Sequence, residues 1–252
     1  MKAAVYQAPF LPSGSMASLG FIRKQISVCE SAGVTILCCP EAILGGLADY
    51  ADSSHEMALN AESGELAYTL APLSSEKVTT IVGFTEKDKG SKLYNSAAVF
   101  HHGRVFGIYR KLHPAIRRSV YTGGDQHPVF TVDGLTFGIL ICNDSNFAEA
   151  AKIMVSKGAS ALFIPTNTGL PLDKADVVAD ARHADIALAR ANDVWILRSD
   201  VVGRSGGLVS YGSSCIIEPG GNVLMSAKRS RAGLLIADIK ALHGDASAFV
   251  KC

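Results

Sequence analysis

The chain has almost no charge imbalance: 24 Lys and Arg against 23 Asp and Glu leave a formal net charge of +1 over 252 residues. It also lacks any dense Lys/Arg stretch, which argues against nucleic acid or an anionic membrane and points to a small, uncharged or mildly charged partner. Long hydrophobic runs are missing too. Mean hydropathy is high at +0.23, yet the apolar residues come in strand-length runs broken by Gly, Pro and charge, far short of a membrane span. After Met1-Lys2 the chain enters Ala3-Ala-Val-Tyr-Gln7 with no apolar stretch of signal-peptide length, so the cytoplasm is the expected compartment. No linker, repeat or low-complexity tail interrupts the pattern, and one domain over residues 1–252 is expected. The six cysteines lie mostly inside strand or helix patterns, as reduced thiols used as small apolar residues rather than as a disulfide framework. Neither they nor the seven histidines show paired ligand spacing, so no metal or other cofactor is expected.

What is present is an alternation of helical and strand periods. Leu19, Ile22, Ile26 and Cys29 mark one face of a helix over 16–32, and Gly33 is a natural stop before the strand Val34-Thr-Ile-Leu-Cys-Cys39, giving a βαβ unit. Strands are expected at 79–84, 94–100 and 104–109, the last two joined by His101-His102-Gly103 as a hairpin. Further strands at 129–132, 136–141, 161–165, 194–199, 214–217, 222–225 and 233–238 alternate with helices near 147–157 and 176–192. Parallel and antiparallel strands with two to four helices predict a mixed sheet pair covered by helices. Gly203-Arg-Ser-Gly-Gly207 lacks the Lys-Ser/Thr of a phosphate loop and reads as a flexible loop.

Three apolar runs end in reactive groups. The 34–39 run delivers Pro40-Glu41, the 105–109 run delivers Arg110-Lys111-Leu-His113, and Thr136-Phe-Gly-Ile-Leu-Ile141 delivers Cys142 followed by Asn143-Asp-Ser-Asn146. In α/β folds ligands bind at the C-terminal ends of strands, so a carboxylate, an ammonium and a thiol arriving there suggest one assembled site. A cysteine nucleophile needs a base or cationic neighbours, for which Glu41 and Lys111 are candidates. Lys111 and the Asn143 backbone N–H can serve an oxyanion. A carboxyl group held by a lysine can pass protons to a leaving amine and from a water. Each residue has a structural alternative: a buried thiol, a solvated strand-end charge, a cap after Pro40. Asn143, His113, Asp144 and Asn167 are the candidates to bind substrate or oxyanion, with His113 also readable as a packing residue. Arg117, Arg118 and Arg204 are candidates to hold a substrate carboxylate.

Cys39-Pro-Glu41, Tyr109-Arg-Lys-Leu-His113 and Ile141-Cys-Asn-Asp144, in this order and at spacings of 70 residues (41 to 111) and 31 (111 to 142), resemble the three signature regions of the nitrilase, or carbon-nitrogen hydrolase, superfamily. The opening strand, the Arg190-Ala-Asn-Asp-Val-Trp-Ile-Leu197 join and the closing strands resemble it too, so the likeness runs over essentially the whole chain. It implies an αββα four-layer sandwich with mixed sheets, paired through a helical face into a homodimer or higher homo-oligomer. It also implies a Glu-Lys-Cys triad: Glu41 as general base and acid, Lys111 as stabiliser of the tetrahedral intermediate, Cys142 as nucleophile. The expected activity is an amidase-type hydrolysis of a small-molecule amide through a thioester, with an N-carbamoyl hydrolase or a nitrilase as alternatives. Residues 112–141 depart from the family in containing no glutamate where many members carry a second one, and the run Asn143-Asp-Ser-Asn146 after the cysteine lacks the aromatic and arginine often found there. Two readings of other classes follow: a cysteine hydrolase with His113 or His183 as base, and a non-catalytic dimeric scaffold.

Overall fold

A computed structural model describes residues 1–116 and 118–239. Its first sheet is built around the strand Lys2–Pro9. One edge of that strand pairs in parallel with Val34–Cys38 and the other antiparallel with Gly233–Asp238, while its end, Ala8 and Pro9, pairs with Val201–Ser205. The sheet continues from Val34–Cys38 in parallel to Thr79–Lys87, then antiparallel through Leu93–His101 to Arg104–Arg110. In the second sheet the parallel strands Leu135–Ile139, Ala161–Pro165 and Trp195–Ser199 are central, with antiparallel strands outside them.

Strand alternation sorts the side chains. Ala3, Val5, Ile36, Cys38, Ile81, Ala97 and Val99 join the core shared with the second sheet. Their neighbours Ala4, Tyr6, Leu37, Cys39, Val82 and Ala98 pack with Ile22, Ile26 and Cys29 of the helix Ser18–Ala32. Adjacent residues thus face opposite sides, as the pleat requires. The helices Ala148–Ser156 and Val178–Asn192 cover the second sheet. The order helix, sheet, sheet, helix is the four-layer αββα sandwich with mixed sheets.

The first helix begins at Ser18 rather than at 16 and ends where expected: Gly33 is left-handed at φ +69° and its N–H returns to the carbonyls of Cys29 and Glu30, a C-terminal stop that glycine favours. The hairpin at 101–104 forms as expected, with His101 opposite Arg104. The 203–207 segment is a correction. Val201–Ser205 is a strand paired antiparallel with Leu208–Ser210, and Gly206 and Gly207, at φ +53° and +80°, form the two-residue turn between them. Two consecutive positive φ values suit the twist of a tight hairpin, so the glycines there serve register rather than looseness. Among the described residues no helix is long and apolar enough to cross a membrane.

Candidate active site

The three expected residues converge on one cavity of about 270 Å³, lined by Glu41, Lys111 and Cys142 together with Asn95, Asn143, Asn167 and Arg198 among others. Glu41 arrives just beyond the strand Val34–Cys38. Its neighbour Ala42 has φ +45°, a left-handed bend disfavoured for a residue with a Cβ. The bend packs directly on Gly83, where any Cβ would overlap the backbone of Ala42 and the Pro40 carbonyl. Glycine at 83 is what lets the acidic loop lie flat on the sheet.

Glu41 is 1% exposed and Lys111 5%. Glu41 Oε1 accepts from Lys111 Nζ at 2.6 Å and from Asn95 Nδ2 at 2.8 Å, and Oε2 accepts from the Asn167 backbone N–H at 2.9 Å. A buried carboxylate so satisfied is held in one orientation. Lys111 lies beyond the strand Arg104–Arg110, its N–H bonded to the Asn95 carbonyl at 2.8 Å. Burial works against its ammonium, but Glu41, with Cys142 and Asp144 adding to it, outweighs that and holds Lys111 protonated.

Cys142 opens a 3-10 turn, Cys142–Asn146, after the strand Leu135–Ile139, and itself has φ +47°. It is partly accessible while Cys29, Cys38, Cys39 and Cys215 are buried; all five are free thiols. Burial pushes the Cys142 thiol up to about 12 and the Glu41 carboxylate adds to the rise, whereas Lys111 and Arg198 oppose it. Burial and Glu41 thus favour the protonated thiol, beside a carboxylate fixed by an ammonium. Such a set can shuttle a proton from sulfur to a leaving group while the ammonium faces a developing negative charge.

The remaining expected residues separate. Asn167 and Asn143 line the cavity; the Asn143 amide is engaged, Nδ2 donating to the His113 carbonyl at 3.1 Å and Oδ1 accepting from Asn146. Asp144, expected on the substrate's side, is not among the residues that line the cavity. It is fully buried and accepts from Tyr109 Oη at 2.8 Å and from the backbone N–H groups of His113 at 2.8 Å, Ile141 at 3.1 Å and Leu112 at 3.3 Å. Asp144 thereby clamps the segment after Lys111 to the segment before Cys142. His113 likewise lies outside the lining, its ring stacked on Phe147 with centroids 3.8 Å apart. Neither His113 nor the exposed His183 reaches the cavity, which leaves the histidine-base reading without geometry. Arg118 and Arg204 are exposed and away from the cavity; Arg117 lies outside the described residues.

Two contributors escaped the sequence. Asn95 sits in a buried strand and holds Glu41. Arg198 interrupts an apolar strand, and a charge there signals a partner; the partner is Asp185, in the helix Val178–Asn192.

The sequence profile of the family described as Carbon-nitrogen hydrolase matches residues 2–246. The chain is 28% identical to a nitrilase of Pyrococcus abyssi over 220 residues, covering 86% of this chain and 81% of the relative. It is 28% identical to an (R)-stereoselective amidase of a Pseudomonas species over 233 residues, covering 91% and 81%. Among solved structures, a variant of the Nesterenkonia AN1 amidase, from the nitrilase superfamily, superposes with a TM-score of 0.80 at 22% identity, covering 96% of this chain and 92% of that one.

Proposed function

The chain belongs to the carbon-nitrogen hydrolase family, and from that premise we propose that it is an amidase that hydrolyses a small-molecule amide through a thioester on Cys142. In this reading the thiol attacks the amide carbon and passes its proton to Glu41. The oxyanion forms against the Lys111 ammonium and the Asn143 N–H. Glu41 returns the proton to the leaving nitrogen, and ammonia or an amine departs. Water then enters, gives a proton to the same carboxylate and attacks the thioester; the acid leaves and the thiol is restored.

The observation that carries this reading is the fixing of Glu41 by Lys111, Asn95 and Asn167 inside the cavity that Cys142 lines. One carboxylate held from both oxygens is suited to serving both half-reactions. The cavity wall also contains Leu47, Tyr50 and Leu170, which suits an acyl group with an apolar body. The proposal includes one domain over the whole chain, a homodimer paired through the helical face, and a reducing, cytoplasmic setting in which the five free thiols persist. A panel of primary amides, N-carbamoyl amines and nitriles, assayed for ammonia release with the wild type and Cys142→Ala, tests the activity. Turnover of amides by the wild type alone is expected; a variant as active as the wild type, or no turnover of any member, would refute it.

A further inference from the structure

At 2.6 Å, Glu41 and Lys111 largely neutralise each other, and residues 143–147 after the thiol carry no cation. Among the described residues, the other cation lining the cavity is Arg198. Its guanidinium is fully buried on the strand Trp195–Ser199 and every nitrogen is directed. Nε and Nη2 form a two-point ion pair with Asp185, and Nη1 donates to Thr166 Oγ1 at 2.6 Å. Nη2 also donates to Ser145 Oγ at 2.9 Å, and that hydroxyl donates on to the Cys142 carbonyl at 3.0 Å. Two hydrogen bonds therefore link a buried charge to the carbonyl of a cysteine held at φ +47°, a conformation that persists only when its surroundings impose it.

We propose that Arg198, fixed by Asp185, is a positioning residue for Cys142: through Ser145 it holds the turn that aims the sulfur, and its charge favours the thiolate as it forms. The inference rests on Cys142 being the nucleophile. Arg198 lines the cavity that Cys142 also lines, and Asp185 does not, so the pair presents its positive end to the cavity. Burial and the Glu41 and Asp200 carboxylates oppose the Cys142 thiolate, and Lys111 and Arg198 favour it. Without Arg198, Lys111 alone would oppose Glu41 and Asp200, and the buried Asp185 carboxylate would lose its partner, in surroundings where charges are poorly screened.

Iodoacetamide labelling of Cys142, followed by peptide mass at pH 8 in variants that unfold cooperatively, tests this without any substrate. Arg198→Gln keeps hydrogen-bonding atoms and removes the charge. A loss of about one pKa unit of thiolate stabilisation, partly offset by the stronger nucleophilicity of a more basic thiol, slows labelling about threefold. Arg198→Lys recovers part of the difference. Asp185→Asn removes the opposing charge and speeds labelling, a sign reversal that a merely structural pair would not give. Labelling of Arg198→Gln at the wild-type rate overturns the proposal. If that variant does not fold, Asp185→Asn decides: faster labelling supports the proposal, and equal or slower labelling overturns it. If the order of rates holds while no amide is turned over, the amidase reading falls and this one stands.

Discussion

Lys111 Nζ donates to Glu41 Oε1 at 2.6 Å across 70 residues of sequence, with both side chains almost wholly removed from solvent. A buried pair of this kind is costly to break from one side, because the surviving charge has no water to turn to. Lys111→Ala is therefore expected to lose activity and about 3 kcal/mol of stability. Urea unfolding and ammonia release on the same preparation check both, and a variant of unchanged stability would contradict the pairing.

Cys142 should label faster than the other four described cysteines in the native protein, since those four are buried and it is partly accessible. Its thiol, raised to about 12 by burial and by Glu41, ionises only as pH approaches that value. The thiolate fraction, and with it the labelling rate, therefore climbs from pH 7 to pH 10 without levelling. Peptide mapping across that range checks the sign; a plateau near neutral pH would mean a thiolate already formed.

Asp144→Ala should act on the fold of the site rather than on substrate binding. It strands the Tyr109 hydroxyl and three backbone N–H groups, each a buried donor whose loss of partner costs roughly 1–3 kcal/mol. A drop of about 3 kcal/mol or more in unfolding free energy is expected. Stability equal to the wild type, with only KM raised, would restore Asp144 to the substrate's side.

Gly83→Ala tests the floor beneath Glu41. The added Cβ overlaps the Pro40–Ala42 backbone, so the acidic loop must lift. Activity is expected to fall by about tenfold or more, since small misplacements of a catalytic group are costly. Wild-type kinetics would show that Glu41 tolerates displacement.

Much of this was legible in the sequence, for identifiable reasons. The three reactive residues each follow an apolar run, and ligands in α/β folds collect at the C-terminal ends of strands, so Glu41, Lys111 and Cys142 could be grouped before any coordinates, although the first two leave one sheet and Cys142 the other. The helix ending at Gly33 and the hairpin at 101–104 carry local signals that tertiary packing does not override. The backbone contacts of Asp144 were not legible, because a carboxylate next to a reactive cysteine looks the same in sequence whether it faces the cavity or the backbone of a neighbouring segment. Arg198 and Asp185 stand 13 residues apart on a strand and a helix, a spacing with no periodic signature; only the arginine's intrusion into an apolar run hinted at it. The strand Val201–Ser205 was hidden by its glycine and its charged residue, which pairing with Leu208–Ser210 accommodates.

Assembly is a separate expectation. The proposed homodimer predicts a solution mass about twice the chain's 26.5 kDa by light scattering at micromolar concentration, and a monomer there would remove it.

The central claim is that Cys142 carries the acyl group and that Glu41 activates the water that releases it. Glu41→Gln keeps the shape and removes the proton acceptor, so amide turnover should fall by about 10² or more. An activated ester, which acylates without needing a protonated leaving group, should load the variant, and the adduct should then persist. Intact-protein mass spectrometry of Glu41→Gln after such loading is the most direct measurement: a long-lived acyl adduct mapped to Cys142 is the predicted result, and an adduct discharged as fast as in the wild type, or none on Cys142, would contradict the account.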